Sequence, residues 1–365
     1  MKRNIVISNA TPETNKSSSV SLYKFIKVIS EADAKKCILL SGNVDCDFFG
    51  DSGAEIHSVN RNRNSNKILN ILMYFSFQIK AGCKALKLIK KHDNVFFWIA
   101  DGMILPYLAA KIKRAKTYYF IYGNPQKISG NNKSENKTFK RICRLANRAD
   151  YICAENAKVF DEWEGSIRNE RRKVIHLYTE QRDISCERTS TVGMLCRIAN
   201  GKYVLESIKA FQKVLQKHPD WSMEIVGNGP LSDECKKYIY ENGLDCSIKM
   251  FGWVDPKDKW DILKRWKYLL HPTDTEGVSN TILEGMSMGI PCIASPVSSI
   301  ADIIKDDRNG FYIRENNSEG IYAAAERAIS SEKYDEISQN AFSDIYKNYS
   351  FERAVNDAKK AIDGQ

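Results

Sequence analysis

The 365-residue sequence lacks the marks of several protein classes. No apolar run reaches the ~18 residues that a membrane-spanning helix needs, which excludes an expected integral membrane protein. No Cys-x-x-Cys pair occurs and no His/Cys group has metal-ligand spacing, so neither a zinc site nor a redox pair is expected. The ten cysteines are scattered, as reduced thiols of a cytosolic protein would be. No internal repeat is visible. Met1-Lys2-Arg3-Asn4 runs directly into the apolar Ile5-Val6-Ile7, without a signal-peptide core. The net charge is +10, yet no zinc finger, helix-turn-helix or aromatic-interleaved ribonucleoprotein motif accompanies it, so nucleic acid is not the expected partner.

What is present describes a globular chain. Residues are 43% hydrophobic and 27% charged, and the length exceeds one ordinary core, so two domains are expected. Short apolar runs alternate with helical patterns: Ile5-Val6-Ile7, a helix over Ser21 to Ser30, Cys37 to Leu40, a helix from Ile68, Val95 to Ile99, a helix over Leu105 to Lys113, then Thr117 to Tyr122. That order argues for a parallel, doubly wound α/β sheet. The pattern restarts at Thr191, and the polar stretch Thr179 to Ser190 reads as a linker. Domains are expected over 1–185 and 189–346.

The most informative segment runs from His271 to Ile293. It sets Glu276 and Glu284 eight residues apart, one in a glycine-containing loop and one in the helix that follows. Tyr268-Leu269-Leu270 reads as a buried strand, and Ile282, Leu283 and Met286 as one apolar helix face. Ser279 or Asn280 would cap that helix, leaving free N–H groups that favour a phosphate. Glu284, placed in the first turn with small polar neighbours Thr281 and Ser287, is expected on a non-core face. Two carboxylates beside an anion site make sense as acceptors for sugar hydroxyls. The alternative for Glu284 is a solvated glutamate that complements the helix dipole.

A second block lies upstream. Val192 to Cys196 reads as a strand and Tyr203 to Lys217 as an amphipathic helix, with Arg197 and Lys202 between them. Two cations at the carboxyl end of a parallel strand suit a diphosphate, Arg as a planar fork and Lys as a point charge. Either residue alone is more simply read as solvated. Gly227-Asn228-Gly229 reads as a turn, and Trp253 as either a base-stacking platform or a core or lid aromatic.

Together these residues resemble the donor-site signature of family 4 retaining glycosyltransferases, which have the GT-B fold of two Rossmann-like domains facing a cleft. The family pattern is Glu-Gly, a variable stretch, then Leu-Glu-Ala-Met-Ala-x-Gly-x-Pro. This chain departs from it only at Gly285 and Ser287. The family's Gly-Arg-Leu-x-x-x-Lys-Gly block has the same Arg-to-Lys spacing, with Cys196 and Tyr203 here in place of glycines. The resemblance implies that Glu276 contacts the transferred sugar and Glu284 the ribose. It assigns Arg197 and Lys202 to the leaving diphosphate, and Gly277, Val278, Ser279 and Asn280 to the diphosphate or sugar. Trp253 and Val254 would lie beside the base. It also implies that the C-terminal helix, within 347–365, packs back on the first domain.

The first half matches the family less well. The loop Asn9 to Ser19 has no glycine, with Lys16 as the available charge. Tyr122-Gly123-Asn124-Pro125 stands where the family often has His-Gly, so Tyr122 is either a sugar contact or core. His176 to Glu180 replaces the usual Pro-Asn-Gly. Asp45-Cys46-Asp47 has the form of the metal–diphosphate ligand of the other main glycosyltransferase fold, but reads better as an acidic turn.

The resemblance therefore implies a metal-independent, retaining enzyme without a cofactor. Its substrate would be a nucleotide sugar, a UDP-sugar by default, and its acceptor a glycan or lipid-linked molecule of cell-envelope polysaccharide assembly. The rivals are an epimerase or phosphorylase of the same fold, and a non-catalytic partner subunit. From Lys80 to Arg148 the only acids are Asp93, Asp101 and Glu135 among many lysines and arginines. The helix from Ile68 to Lys91 carries apolar Leu72, Phe75, Ile79, Leu86 and Ile89 with lysines opposite. It reads as a core-packed helix with a solvated lysine face, or as a face for an anionic membrane, which would place the protein peripherally on the cytoplasmic side.

Overall fold

A computed structural model of the chain describes residues 2–9, 16–33, 37–62, 64–100, 102–123, 133–180, 182, 187–255, 258–274 and 276–363. Most of the Asn9 to Ser19 loop, with Asn124 and Pro125, lies outside the described residues. The chain forms two compact units. One runs to Tyr178 and resumes at Phe351; the other spans Thr179–Ser350. The units thus part at Tyr178/Thr179 and again at Ser350/Phe351, rather than at 185/189 and 346/347.

In the first unit β1 (Asn4–Ser8), β2 (Cys37–Gly42), β3 (Ala54–Val59), β4 (Asn94–Trp98), β5 (Lys116–Phe120), β6 (Tyr151–Ala154) and β7 (Arg172–Val174) make one sheet, in the order β3-β2-β1-β4-β5-β6-β7. Its described pairings are all parallel. The described helices are α1 (Lys16–Ala32), α2 (Cys46–Phe49), α3 (Lys67–Leu88), α4 (Ile104–Ile112), α5 (Lys133–Ala146) and α6 (Lys158–Glu162). Because helices cover both faces, the central strands are apolar throughout: Ile5, Val6 and Ile7 are all fully buried.

Two elements here differ from the sequence expectation. Strand β3 follows no apolar run, because it is an edge strand whose Glu55 and His57 pair with each other at 2.7 Å. Helix α3 faces the core with Phe77, Gln78, Ala81, Gly82 and Ala85. Leu72, Phe75 and Ile79 instead stand 58%, 60% and 56% exposed, so they are not core. Small residues let α3 and α4 approach closely: a Cβ at Gly82 would come 2.9 Å from that of Leu105.

In the second unit β8 (Thr191–Leu195), β9 (Ser222–Val226), β10 (Ile248–Gly252), β11 (Tyr268–His271), β12 (Cys292–Ala294) and β13 (Gly310–Tyr312) form a parallel sheet ordered β10-β9-β8-β11-β12-β13. Its helices are α7 (Val204–Lys217), α8 (Ser232–Glu241), α9 (Lys259–Leu263), α10 (Asn280–Met286), α11 (Ile300–Ile303), α12 (Ser318–Ile329) and α13 (Tyr334–Asn348). The final helix, α14 (Phe351–Asp363), packs on the first unit: His176 Nδ1 lies 2.6 Å from Asp357 Oδ2, and the rings of Tyr178 and Phe351 meet at 4.8 Å. In the second sheet the chain winds one way from β8 and the other way from β11, and these strands are neighbours. Loops leaving their carboxyl ends therefore meet at the switch of strand order, where open α/β sheets hold ligands.

Candidate active site

The loop from Cys196 to Tyr203 leaves β8 and brings Arg197 and Lys202 to the switch. Its backbone rests on the glycine turn after β9. Cys196 N–H donates to Val226 O at 3.1 Å, and Ile198 N–H to Asn228 O at 3.2 Å. A Cβ at Gly227, whose φ is +136°, would sit 1.9 Å from Cys196 O, and one at Gly229 would sit 2.1 Å from Ile198 O. Gly229 is thus more than a turn residue: it lets the arginine loop sit down on the sheet.

Tyr203 caps α7 at φ 49°, in the left-handed region that favours glycine. This explains why glycine is the easier residue here and what tyrosine adds. Its hydroxyl donates to Asp274 Oδ1, tying the β8 loop to the β11 loop. That carboxylate, together with partial burial, pushes the phenol up to about 12. Asp274 N–H also donates to Gly201 O at 3.2 Å.

Across this seam Lys202 Nζ donates to Thr273 Oγ1 at 3.1 Å and pairs with Glu276 Oε1. His271, at the end of β11 and only 3% exposed, sets Nε2 3.3 Å from the same Glu276 oxygen and 3.2 Å from Ser279 Oγ. Burial works to raise the Glu276 pKa. His271 and Lys202 outweigh it and pull the carboxyl down to about 2. Glu276 is therefore an ionised acceptor throughout the neutral range, oriented by a cation and an imidazole. Arg197 stands exposed at the same loop, without a partner among the described residues.

The other residues singled out from the sequence are placed as follows. Ser279 caps α10, its hydroxyl accepting from Ile282 N–H at 3.4 Å. Val278 is buried, Gly277 O accepts from Ser299 Oγ, and Asn280 begins the helix half-buried. Helix α10 has only seven residues, so its dipole is a minor anion attractor beside the two cations. Glu284 is in its second turn, not the first, and is not on a solvated face. It is buried at 5% exposure and pairs with Lys259 Nζ of α9 at 2.7 Å. A buried charge needs such a partner. Trp253, 51% exposed, belongs neither to core nor to a closed lid, and Val254 beside it is half-buried. Tyr122 lies in the first unit. Its hydroxyl accepts from Ile99 N–H at 3.1 Å and its carbonyl from Trp163 Nε1 at 2.5 Å, so it is bonded into its own unit.

Sequence reasoning missed His271, Thr273 and Lys259. The first two flank a motif it had already found. Lys259 opens a short helix and matches no pattern. Its ammonium lies 4.5 Å from the Trp260 ring centroid, and Arg182 stacks on that ring at 3.6 Å. Asp45, the first carboxylate of the Asp-x-Asp, caps α2 by accepting from Asp47 and Phe48 N–H, each at 3.2 Å. Among the described residues no group of three or more His, Cys, Asp or Glu could hold a metal ion.

Residues 180–344, nearly the whole second unit, match the family model for glycosyl transferases group 1. Through this unit the chain is similar to that family. It is 27% identical over 167 residues to an uncharacterised glycosyltransferase of Methanocaldococcus jannaschii, covering 46% of this chain and 42% of the relative. It is 31% identical over 122 residues to the lipopolysaccharide 1,6-galactosyltransferase of Escherichia coli, covering 32% and 33%. The chain spans less than half the length of these relatives. Among solved structures, Anabaena HepE in complex with UDP and glucose superposes with a TM-score of 0.79 at 15% identity, over 100% of both chains. Staphylococcus aureus TarM, solved with UDP, superposes with a TM-score of 0.79 at 14% identity, over 99% of this chain and 100% of that one. The fold is GT-B.

Proposed function

We propose that the protein is a retaining glycosyltransferase that moves a sugar from a nucleotide-diphosphate sugar to a glycan or lipid-linked acceptor in cell-envelope polysaccharide assembly. The observation that carries the reading is the meeting of Lys202 and Glu276 at the β8/β11 switch, with Arg197 exposed on the same loop. Cations that would receive a diphosphate stand beside a carboxylate that would receive hydroxyls. The relative acting on lipopolysaccharide and the neighbour solved with UDP and glucose support this reading, and make a UDP-sugar the first donor to test.

In the proposed reaction the bond from the anomeric carbon to the diphosphate oxygen breaks, and its electron pair leaves with the diphosphate. Arg197 and Lys202 stabilise the charge that develops there. Glu276, kept ionised, accepts a hydroxyl of the transferred sugar and sits near the positive charge growing on the anomeric carbon. The acceptor oxygen forms the new bond on the face the diphosphate leaves, and its proton passes to a diphosphate oxygen. No side-chain nucleophile and no metal enter this scheme. Glu284, fixed by Lys259, accepts from the ribose.

A thermal-shift screen of nucleotide diphosphates and their sugars tests the donor, since only a ligand preferring the folded state raises the midpoint. Transfer to an acceptor with retained anomeric configuration supports the reading. An inverted product, or turnover abolished by a chelator and restored by manganese, contradicts it. Donor binding without transfer to any acceptor would point to the non-catalytic partner subunit instead.

A further inference from the structure

We infer that the first unit docks on an anionic lipid bilayer through the outward faces of α3 and α4. Helix α3 has two apolar faces, and only one is used by the fold. Phe77, Ala81 and Ala85 pack inward. Ile68, Leu72, Phe75, Ile79 and Leu86 recur three or four residues apart, or at a multiple of that spacing, along another face, 71%, 58%, 60%, 56% and 37% exposed. Alongside, α4 turns Ile104, Leu105, Leu108 and Ile112 outward, Ile112 being 70% exposed. The close approach at Gly82 and Leu105 makes the two stripes neighbours. Scattered apolar side chains on a surface are ordinary, but two adjoining stripes are not.

Charge decides which partner fits. Neither helix contains an aspartate or glutamate. Lys80 and Lys87 are exposed on the flank of the α3 stripe, with Lys84 between them half-buried against Ser58 O at 3.2 Å. Exposed Arg114 follows α4. An apolar strip edged by cations matches the acyl boundary and headgroups of an anionic leaflet. A second copy packed face to face would bring lysines against lysines, which disfavours self-association. No helix among the described residues is long and apolar enough to cross a membrane, so the surface would lie on the bilayer.

The test is flotation of the full chain with vesicles of phosphatidylcholine alone or with about one-third phosphatidylglycerol. Binding should be at least about tenfold stronger to the anionic vesicles and should weaken with salt. Leu72→Ser/Phe75→Ser/Ile79→Ser should lower it at least about tenfold at every salt concentration, with an unchanged thermal midpoint because these side chains are exposed. Lys80→Glu/Lys87→Glu should remove the preference for anionic lipid. Wild-type chain that ignores anionic vesicles, or a triple variant that binds as wild type, overturns the inference. So does a dimer by light scattering that the triple variant dissolves and that does not bind vesicles. UDP-induced thermal shifts on the same samples keep this result separate from the donor reading.

Discussion

The two units treat their polar side chains differently. In the first, Tyr122 is bonded to Ile99, His176 to Asp357 and Asp45 to its own helix start. In the second, Lys202, Thr273, His271 and Glu276 bond to one another across two loops, and Arg197 beside them is left exposed. Groups that bond only to the fold can be lost at a cost in stability alone. Groups that converge at a strand-order switch are expected to cost function.

The largest effect should come from Arg197→Ala/Lys202→Ala. Turnover with the true donor is expected to fall at least about 10³-fold, while chemical denaturation shows a loss of about 1 kcal/mol, the range for a partly exposed ion pair. Steady-state kinetics and a urea titration separate the two. Next comes Glu284→Ala, which leaves the Lys259 ammonium buried without its carboxylate and should destabilise by about 3–5 kcal/mol. Lys259→Met/Glu284→Leu should recover most of that stability but not ribose binding. In the first unit Asp45→Ala should cost about 1 kcal/mol, as loss of an N-cap does, with kcat unchanged. The smallest effect concerns pH. The Glu276 carboxyl, normally near 4.5, is held down to about 2, so its contribution to stability is full above the normal value and is lost only as pH falls through about 2. Activity should show no acid limb from this group between pH 5 and 8. A limb near 4.5 that Glu276→Gln removes would show the carboxyl is not held by its partners in solution.

How much was legible in the sequence follows the same division. Parallel strands buried on both faces leave continuous apolar runs, so β1, β2, β4 and β8 could be read directly. Edge strand β3, with Glu55 and His57 in its middle, could not. Though their direct pairing was not foreseen, the sharing of one donor molecule by Lys202 and Glu276 was implied by the resemblance, and both follow strands that the topology makes neighbours. The burial of Glu284 was not, since its stabilising partner Lys259 lies 25 residues upstream in a helix of five. Helix α3 was read with a single apolar face. Periodicity finds apolar stripes, but only packing tells which of two stripes faces in.

Diphosphate recognition within the second unit is the property on which the proposed activity depends. Calorimetric titration of UDP and of uridine into wild type and into Arg197→Ala/Lys202→Ala isolates it. Wild type should bind UDP at least about 100-fold tighter than uridine, the yield of two charge-assisted contacts, and the double variant should bind the two nearly alike. A UDP preference that survives the loss of both cations would contradict the assignment.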